Sequence, residues 1–222
     1  MQLWYAKCMG SRDFRQYCGL ARALELVGER WGLLVIRELL ARPCRYTDLR
    51  ESLPGIPTNV LSARLKELEE AGIAERLLAP APQRGVVYAL TEAGRGLEPA
   101  VLALARWGST QLGAQQPGEL VPASTLALTL RAVFNPDAAH GLNASWEIRT
   151  AGIALYATVS DGQLATGVGS APGEPDLVIA VQADEVPTFR EILQAAGEGK
   201  AELTGRQDLL ATFLRCFTPP RA

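Results

Sequence analysis

The chain has 222 residues, 48% of them apolar, and a formal net charge of −2, which is enough length for two modest domains with separate hydrophobic cores. Its four cysteines, at positions 8, 18, 44 and 216, show no CxxC spacing, which argues against a zinc cluster or a disulfide framework and favours a reduced, cytoplasmic setting. Because no apolar run approaches the roughly 20 residues that cross a bilayer, and the N-terminus lacks a signal-peptide core, we expect a soluble protein without membrane partners.

A short helix is predicted just before a tight turn at Pro54-Gly55. Thr47 is a candidate N-cap for this helix, and Leu49 and Leu53 form an apolar pair at i, i+4 spacing. Glycine tolerates the backbone angles of a tight turn, and proline suits the first position of a helix. A second helix is therefore expected to start at Pro57 and to end at a left-handed glycine, Gly72.

The second helix is predicted to have two different faces. At about 100° per residue, Leu61, Leu65 and Leu68 fall on one face, whereas Asn59, Ser62, Ala63 and Lys66 fall on the other. The leucines predict a core contact. The polar face could contact a partner, because Asn bonds adenine edges in a major groove and Lys pairs with phosphates. The alternative is an ordinary solvated surface.

Two β-prone runs follow, Ala74–Leu78 and Val86–Leu90, and they predict a hairpin with a stiff, proline-containing tip. Arg84 at that tip can enter a minor groove or lie on a phosphate, although a lone loop arginine can also be merely solvated. A helix pair followed by a basic hairpin is the order of parts in a winged helix-turn-helix DNA-binding domain.

Residues 91–111 are predicted to form one helix that Thr91 caps. Its apolar residues recur at helical spacing, with Pro99 expected near the first turns. We favour a dimer interface for this stripe over an intramolecular core, because so small a domain would otherwise expose much apolar surface. The stripe consists of Leu97, Val101, Leu104 and Trp107.

A linker at residues 114–122 is expected to separate a first domain, 1–116, from a second domain, 117–222. In the second domain an apolar helix at 126–134 precedes β-prone segments, and turns at Ala151-Gly152 and Asp161-Gly162 suggest an antiparallel meander. The predicted strands are residues 144–149, 153–159, 163–169 and 177–181, with an edge strand at 201–203. Two further helices are expected, one capped by Asp184 and carrying Val186, Phe189, Ile192 and Leu193, and one after Asp208. The predicted fold class is therefore α+β.

Charge is divided unevenly between the two predicted domains. Residues 1–116 hold 15 Lys and Arg against 12 Asp and Glu, whereas residues 117–222 hold 7 against 12. The first domain is thus at +3 and the second at −5. This asymmetry would orient the first domain towards a polyanion such as double-stranded DNA.

The first half of the chain, from Cys18 to Gly108, resembles the HxlR-type winged-helix regulators of bacteria. The resemblance rests on six motifs: Gly28-Glu29-Arg30-Trp31 with residues 33–39, residues 45–49, Leu53-Pro54-Gly55-Ile56, residues 61–68, Tyr88-Ala89-Leu90-Thr91 and Trp107-Gly108. It implies a homodimer that binds a palindromic operator through the second helix and the wing, with the dimer built from helices at both ends of the domain. The wing departs from the family pattern, which is usually Pro-Pro-x-Val-Glu-Tyr and here reads Pro82-Gln83-Arg84-Gly85-Val86-Val87-Tyr88.

On this interpretation Asn59 and Ser62 contact bases, and Arg45, Lys66 and Arg84 contact phosphates. The full set of residues assigned to DNA is Arg45, Thr58, Asn59, Ser62, Lys66 and Arg84.

The resemblance also draws attention to Cys18, because a cysteine near the start acts as a redox sensor in some relatives. Sensing requires a thiolate, which the nearby Arg15 and Arg22 would favour. A packed or idle cysteine is the simpler alternative, and we prefer it.

The second half resembles, less specifically, a sterol-carrier-protein-like domain, an α/β layer with a mainly antiparallel sheet around an apolar tunnel. The similarity rests on residues 199–206 and the Leu/Phe helix that follows, although Arg206 stands where the family usually has an acidic residue. The resemblance implies an apolar small-molecule effector; a plain core in a dimerisation scaffold is the alternative. The candidate ligand-binding residues are Trp146, Tyr156, Phe189, Phe213 and Phe217.

No sequence motif indicates an enzyme, a metal site or a cofactor. The only histidine, His140, lies in a loop with no serine or cysteine motif nearby, and no phosphate-binding or dinucleotide-binding glycine pattern occurs. We therefore expect a homodimeric, sequence-specific DNA-binding transcriptional regulator. The alternative is a lipid-binding or scaffold protein whose DNA-binding head is vestigial.

Overall fold

The computed structural model describes residues 13–79, 84–113, 115–116 and 118–217. The chain divides into two compact units, Met1–Val101 and Leu102–Ala222. This division falls inside a helix, Glu98–Ser109, whereas the boundary after residue 116 stays a prediction. The architecture is α+β, as expected. Within the described ranges no helix is both long enough and apolar enough to span a membrane.

The N-terminal unit has a helical core with a two-stranded hairpin. Its elements are α1 (Gly19–Val27), α2 (Gly32–Ala41), α3 (Tyr46–Ser52), α4 (Thr58–Glu70), β1 (Ala74–Leu78), β2 (Val86–Leu90), α5 (Glu92–Arg95) and α6 (Glu98–Ser109). Leucines of α3 and α4 and the β-branched residues of α2 meet in the core, where Ile36, Leu49, Leu61 and Leu65 are at most 1% exposed. The predicted order of helix, turn, helix and hairpin is confirmed.

The turn between α3 and α4 forms as predicted, with one shift at each helix start. Gly55 has a positive φ of 81°, and Ile56 is buried beneath the turn. The N-cap of α3 is Arg45, not Thr47, and its N–H donates to the Asp48 carboxylate at 3.1 Å. Pro57 precedes α4 as its N-cap, so the helix begins one residue later than expected. Proline lacks an N–H but supplies the fixed φ that leads into the first turn.

The hairpin has the predicted strands and a third short partner. The strands β1 and β2 pair antiparallel from Ala74 opposite Leu90 to Leu78 opposite Val86. Cys44 adds a bridge on the other edge of β2: its N–H donates to the Tyr88 carbonyl at 2.9 Å and its carbonyl accepts from the Tyr88 N–H at 2.7 Å. The segment before α3 is therefore attached to the wing.

The single helix predicted over residues 91–111 is wrong, because α5 and α6 are separate. Thr91 does cap α5, since its hydroxyl oxygen accepts from the Gly94 N–H at 3.1 Å. The chain turns at Gly96 and restarts at Glu98, so that Pro99 is the second residue of α6. A proline at that place loses no hydrogen bond, whereas in one continuous helix it would clash with the carbonyl four residues earlier.

The C-terminal unit is a five-stranded sheet with helices on one face. Its elements are α7 (Ala123–Val133), β3 (Asn143–Thr150), β4 (Ile153–Ser160), β5 (Gln163–Val168), β6 (Leu177–Val181), α8 (Phe189–Gly197), β7 (Glu202–Gly205) and α9 (Leu209–Phe217). The strand order is β5-β4-β3-β6-β7. The strands β3 and β6 pair parallel and the other neighbours pair antiparallel, so the sheet is mainly antiparallel, as predicted.

Both tight turns of the meander are confirmed. Ala151 and Gly152 have φ values of 44° and 76°, and Asp161 and Gly162 have values of 49° and 77°. Two successive residues with positive φ define the turn that matches the right-handed twist of adjacent strands. These turns bring β3, β4 and β5 side by side.

The helix expected to start at Asp184 begins later, at Phe189, with Thr188 as its cap. The hydroxyl of Thr188 accepts from the Glu191 N–H, and the Glu191 carboxylate accepts from the Thr188 N–H at 2.7 Å. This reciprocal pair satisfies two N–H groups at the helix start, which a start at Asp184 would not do, and Pro187 suits the irregular segment that precedes it. Val186 therefore lies outside α8.

Candidate nucleic-acid interface

The two faces of α4 differ in burial, as the sequence predicts. Leu61, Leu65 and Leu68 are at most 2% exposed and pack into the core of the N-terminal unit. On the other side, Asn59, Ser62 and Lys66 are exposed, Ala63 is half-buried, and Thr58 is exposed at the start of the helix. The polar face of α4, defined by Thr58, Asn59, Ser62 and Lys66, thus points to solvent.

Tyr46 connects the polar face of α4 to α3. Its hydroxyl donates to the Thr58 carbonyl at 2.9 Å and accepts from the Ser62 hydroxyl at 3.3 Å. The start of α4 is therefore attached to the start of α3 by a side chain that was not among the predicted site residues. Its contacts span 12 and 16 positions, so spacing within one helix could not have indicated them.

Several cations of this unit are neutralised by acidic neighbours. Arg42 pairs with Asp48 at 3.1 Å, Arg64 of α4 lies 3.7 Å from Glu29, and Arg76 of β1 donates to Glu69 at 2.9 Å. The hydrogen bond and charge of Glu69 raise the pKa of Arg76 above its ordinary value. These arginines mainly hold elements together and contribute little to the exposed positive potential.

Lys66 of α4, Arg84 of the wing and Arg50 of α3 are exposed cations of this unit. Lys66 is 3.7 Å from Glu70, and with a side chain 73% exposed this pair is weak. Arg84 and Arg50 are exposed and form no ion pair within the described part of the unit. Arg50 was not predicted as a site residue. Helical periodicity applied to α3 would have placed Arg50 on a different face from the buried Leu49. The predicted wing residues Pro82 and Gln83 lie outside the described residues.

Arg45, predicted to bind a phosphate, is hydrogen-bonded to the wing. Its guanidinium Nη2 donates to the Arg84 carbonyl at 2.7 Å, and the residue is only partly exposed. The bond joins positions 39 residues apart, so no local pattern could have predicted it. Arg45 and Arg84 are therefore neighbours, but the contact uses the Arg84 backbone and not its side chain.

Cys18 lies at the N-cap of α1 and is exposed. The backbone N–H groups of Ala21, first, and Leu20 lower the pKa of its thiol, because the start of a helix favours a negative charge. The cause is thus the helix start and not the arginines considered from sequence; Arg22 is paired with Glu25 at 3.0 Å. By contrast, burial raises the pKa of the Cys44 thiol to about 12. A redox role for Cys18 stays a prediction.

Apolar side chains remain exposed on helices near both ends of the predicted DNA-binding domain. On α1, Leu20 is 69% and Leu24 is 44% exposed. On α6, Leu104 is 51% and Trp107 is 67% exposed, whereas Val101 is buried. Exposed apolar stripes of this kind usually mark a surface that another molecule covers.

The predicted ligand-binding residues of the C-terminal unit do not form one cluster. Trp146, Phe213 and Phe217 are fully buried between sheet and helices, with ring centroids 4.8–5.9 Å apart, and Phe189 is 5% exposed on the same layer. Tyr156 is on the opposite face, where its ring lies over Gly167. The reason is strand alternation: Ala157, not Tyr156, pairs with Trp146.

Two buried polar groups on the helix-covered side of β3 lack a hydrogen-bond partner among the described residues. The indole Nε1 of Trp146 and the hydroxyl of Thr150, both on the helix-covered side of β3, make no hydrogen bond to any residue the structure describes. Buried donors are nearly always paired in native proteins, so each such group calls for an explanation. His140, in contrast, is simply exposed at a turn.

A helix-turn-helix with a polar, exposed second helix and an adjoining β-hairpin defines a winged helix-turn-helix protein. The model of the HxlR-like helix-turn-helix family matches residues 26–116. An HTH-type transcriptional regulator of Bacillus subtilis, YodB, is 35% identical over 99 residues, which are 45% of this chain and 86% of YodB. The chain belongs to the HxlR-like helix-turn-helix family.

An uncharacterized HTH-type transcriptional regulator of Mycobacterium bovis is 44% identical over 93 residues, which are 42% of this chain. The match spans 58% of that relative's length. Among solved structures, the reduced form of the B. subtilis regulator YodB is 33% identical and has a TM-score of 0.38, covering 47% of this chain and all of that one. These matches concern the N-terminal half.

Proposed function

We propose that this protein is a homodimeric, sequence-specific DNA-binding transcriptional regulator. The observation that carries the proposal is the two-sided character of α4, with three leucines sealed in the core and the polar face of α4 exposed. An exposed helix of this kind can enter the major groove, where Asn59 and Ser62 would contact base edges. Thr58, at the start of α4, would contact the adjoining sugar-phosphate backbone of the DNA. The wing around Arg84 would contact the phosphate backbone or the minor groove.

Electrostatics support a salt-sensitive contact with a polyanion. Lys66 and Arg84 are exposed on the same unit, and Arg50 of α3 adds a charge on the helix that crosses the backbone in such domains. Each phosphate contact releases condensed counterions, so affinity should fall steeply as salt rises. Two copies of the domain would double the number of contacts.

The dimer is supported by the exposed apolar residues of α1 and α6. Leu20 and Leu24 on α1, and Leu104 and Trp107 on α6, would be covered in an interface between two copies. A two-fold dimer would present two copies of α4 to one duplex, and its symmetry would match a palindromic site.

Selection of bound fragments from random duplex DNA by the full-length chain tests this proposal. We expect enrichment of a palindrome with half-sites about one helical turn, ~34 Å, apart. A protein with a vestigial head would enrich no sequence at any salt concentration. An enriched site without two-fold symmetry would contradict the dimer while leaving sequence-specific binding intact.

For the C-terminal unit we propose a sterol-carrier-like domain that binds an apolar small-molecule effector. The layout supports it, since one face of a five-stranded sheet is covered by helices over an aromatic inner layer. The unpartnered Trp146 N–H supports an effector that carries a hydrogen-bond acceptor on an apolar body. A coupling of only ~1–3 kcal/mol between effector and DNA would suffice for a switch. We assign this unit no catalytic role.

Thermal unfolding of the full-length protein with fatty acids or sterols tests the effector proposal. We expect a rise in melting temperature with compounds that carry an acceptor, and a smaller rise in Trp146→Phe, which keeps an aromatic ring but removes the N–H. An acceptor-free hydrocarbon of similar size is the control, and its effect should be the same in both variants. If no compound raises the melting temperature, the unit is a scaffold.

A further inference from the structure

The far end of the wing is held by one side chain from outside the hairpin. Among the contacts of the described residues, Arg45 Nη2 donates to the Arg84 carbonyl at 2.7 Å, just where the chain re-enters β2. The same guanidinium lies against Gly85: a Cβ built on Gly85 would be 3.7 Å from Arg45 Nη1. Gly85 has a φ of 120°, which other residues rarely adopt, so this backbone conformation is also specific.

The rest of the hairpin is anchored near its middle, where Arg76 is opposite Tyr88. Arg76 of β1 binds Glu69 of α4 at 2.9 Å, and Cys44 bridges Tyr88 near the middle of β2. Towards the tip, the strands are joined by the Ala79 N–H, which donates to the Gly85 carbonyl at 2.8 Å. An isolated two-stranded hairpin is marginally stable in water, so an external hydrogen bond at this end has a large influence on its orientation.

We propose that Arg45 is a positioning residue that sets the angle of the wing relative to α3 and α4, and that it is not a phosphate ligand. Arginine suits this task because its planar, permanently charged fork makes stronger hydrogen bonds to a carbonyl than a neutral donor does. Since Arg45 is also the N-cap of α3, its backbone is fixed by the Asp48 carboxylate at 3.1 Å. The inference rests on the proposed function, because it concerns how the Arg84 side chain is delivered to DNA.

A double-mutant cycle on DNA binding separates the two roles. Arg84→Ala removes the side chain that reaches DNA but leaves the Arg84 carbonyl that Arg45 binds. If Arg45 acts through the wing, Arg45→Ala weakens binding about tenfold in the wild-type background and less than about twofold in Arg84→Ala. If Arg45 binds a phosphate by itself, the two losses multiply, and the inference is overturned.

Arg50→Ala is the matched control, because Arg50 is an exposed arginine in α3, the helix that Arg45 caps, and it forms no hydrogen bond or ion pair with the described residues of the wing. The loss of DNA affinity in the double variant Arg50→Ala, Arg84→Ala should equal the product of the losses in the two single variants.

A second measurement uses the protein without DNA. Amide hydrogen exchange of Ala79 and of the β2 residues should become faster in Arg45→Ala and remain unchanged in Arg50→Ala. Unchanged exchange in Arg45→Ala would overturn the inference. This readout does not depend on DNA binding, so it decides the role of Arg45 even if the wild-type protein binds no duplex and the proposed function fails.

Discussion

Gly94→Ala is expected to lower the free energy of unfolding of the N-terminal unit by about 3 kcal/mol or more. Gly94 is buried, and a Cβ there would overlap the Ile73 carbonyl oxygen and lie 3.1 Å from a methyl group of Leu90. The Ile73 oxygen cannot retreat easily, because it accepts from the Thr91 N–H at 3.0 Å. Gly94 itself donates to the Thr91 hydroxyl at 3.1 Å. The substitution would therefore push α5 away from the base of the hairpin.

Urea denaturation followed by circular dichroism measures this loss, and DNA binding should fall with the folded fraction. Gly19→Ala is the matched control, because Gly19 is also in a helix of this unit and has no atom within 4 Å of the added Cβ. The control should be neutral or slightly stabilising, since alanine has fewer unfolded conformations to lose. Equal stability of the two variants would show that α5 is not packed against Ile73.

Asn59→Ala is expected to weaken binding to the selected operator by at least about thirtyfold. Each bidentate contact between an asparagine and a base contributes ~1–3 kcal/mol of discrimination, and a dimer carries the change in both half-sites. Asn59 is exposed in the first turn of α4, and Leu61 and Leu65 hold the helix in place from below. Removal of the amide should therefore alter recognition without altering the fold.

The measurement is the affinity for the operator and for all single-base variants at one salt concentration. Preference should be lost at one base pair in each half-site, while binding to unrelated DNA should be retained, because that binding depends on phosphates. Gln163→Ala is the control: Gln163 is an exposed amide on β5 of the C-terminal unit, and its removal should not change affinity. A uniform loss over all sequences in Asn59→Ala would assign this residue to the backbone.

Local sequence patterns predicted the structure correctly where the interactions that determine it lie within one short segment. The faces of α4 follow from helical periodicity, so Leu61 and Lys66 were placed correctly. The turn at Asp161-Gly162 follows from backbone preferences of two adjacent residues. The sequence could also have shown that Tyr156 and Trp146 lie on opposite faces of the sheet. The turn at Ala151-Gly152 sets the register of β3 and β4, and in that register Trp146 is opposite Ala157, so the neighbouring Tyr156 points to the other face.

Pro99 and Pro187 show where a local signal was given too little weight. Proline restricts the preceding residue and removes a hydrogen-bond donor. Accordingly, α6 begins one residue before Pro99, and α8 begins two residues after Pro187. The capping box from Thr188 to Glu191 spans four residues and was visible in the sequence.

By itself, the chain determined the order of its elements, the identity of the buried leucines and the outward orientation of Asn59, since each depends on interactions within a few residues. Only the tertiary structure decided that Arg45 binds the Arg84 carbonyl, that Tyr46 joins α3 to α4, and that β6 returns to pair parallel with β3. These contacts join residues 12 to 39 positions apart. Their energies depend on how whole helices and strands pack, and no spacing along one segment encodes that arrangement.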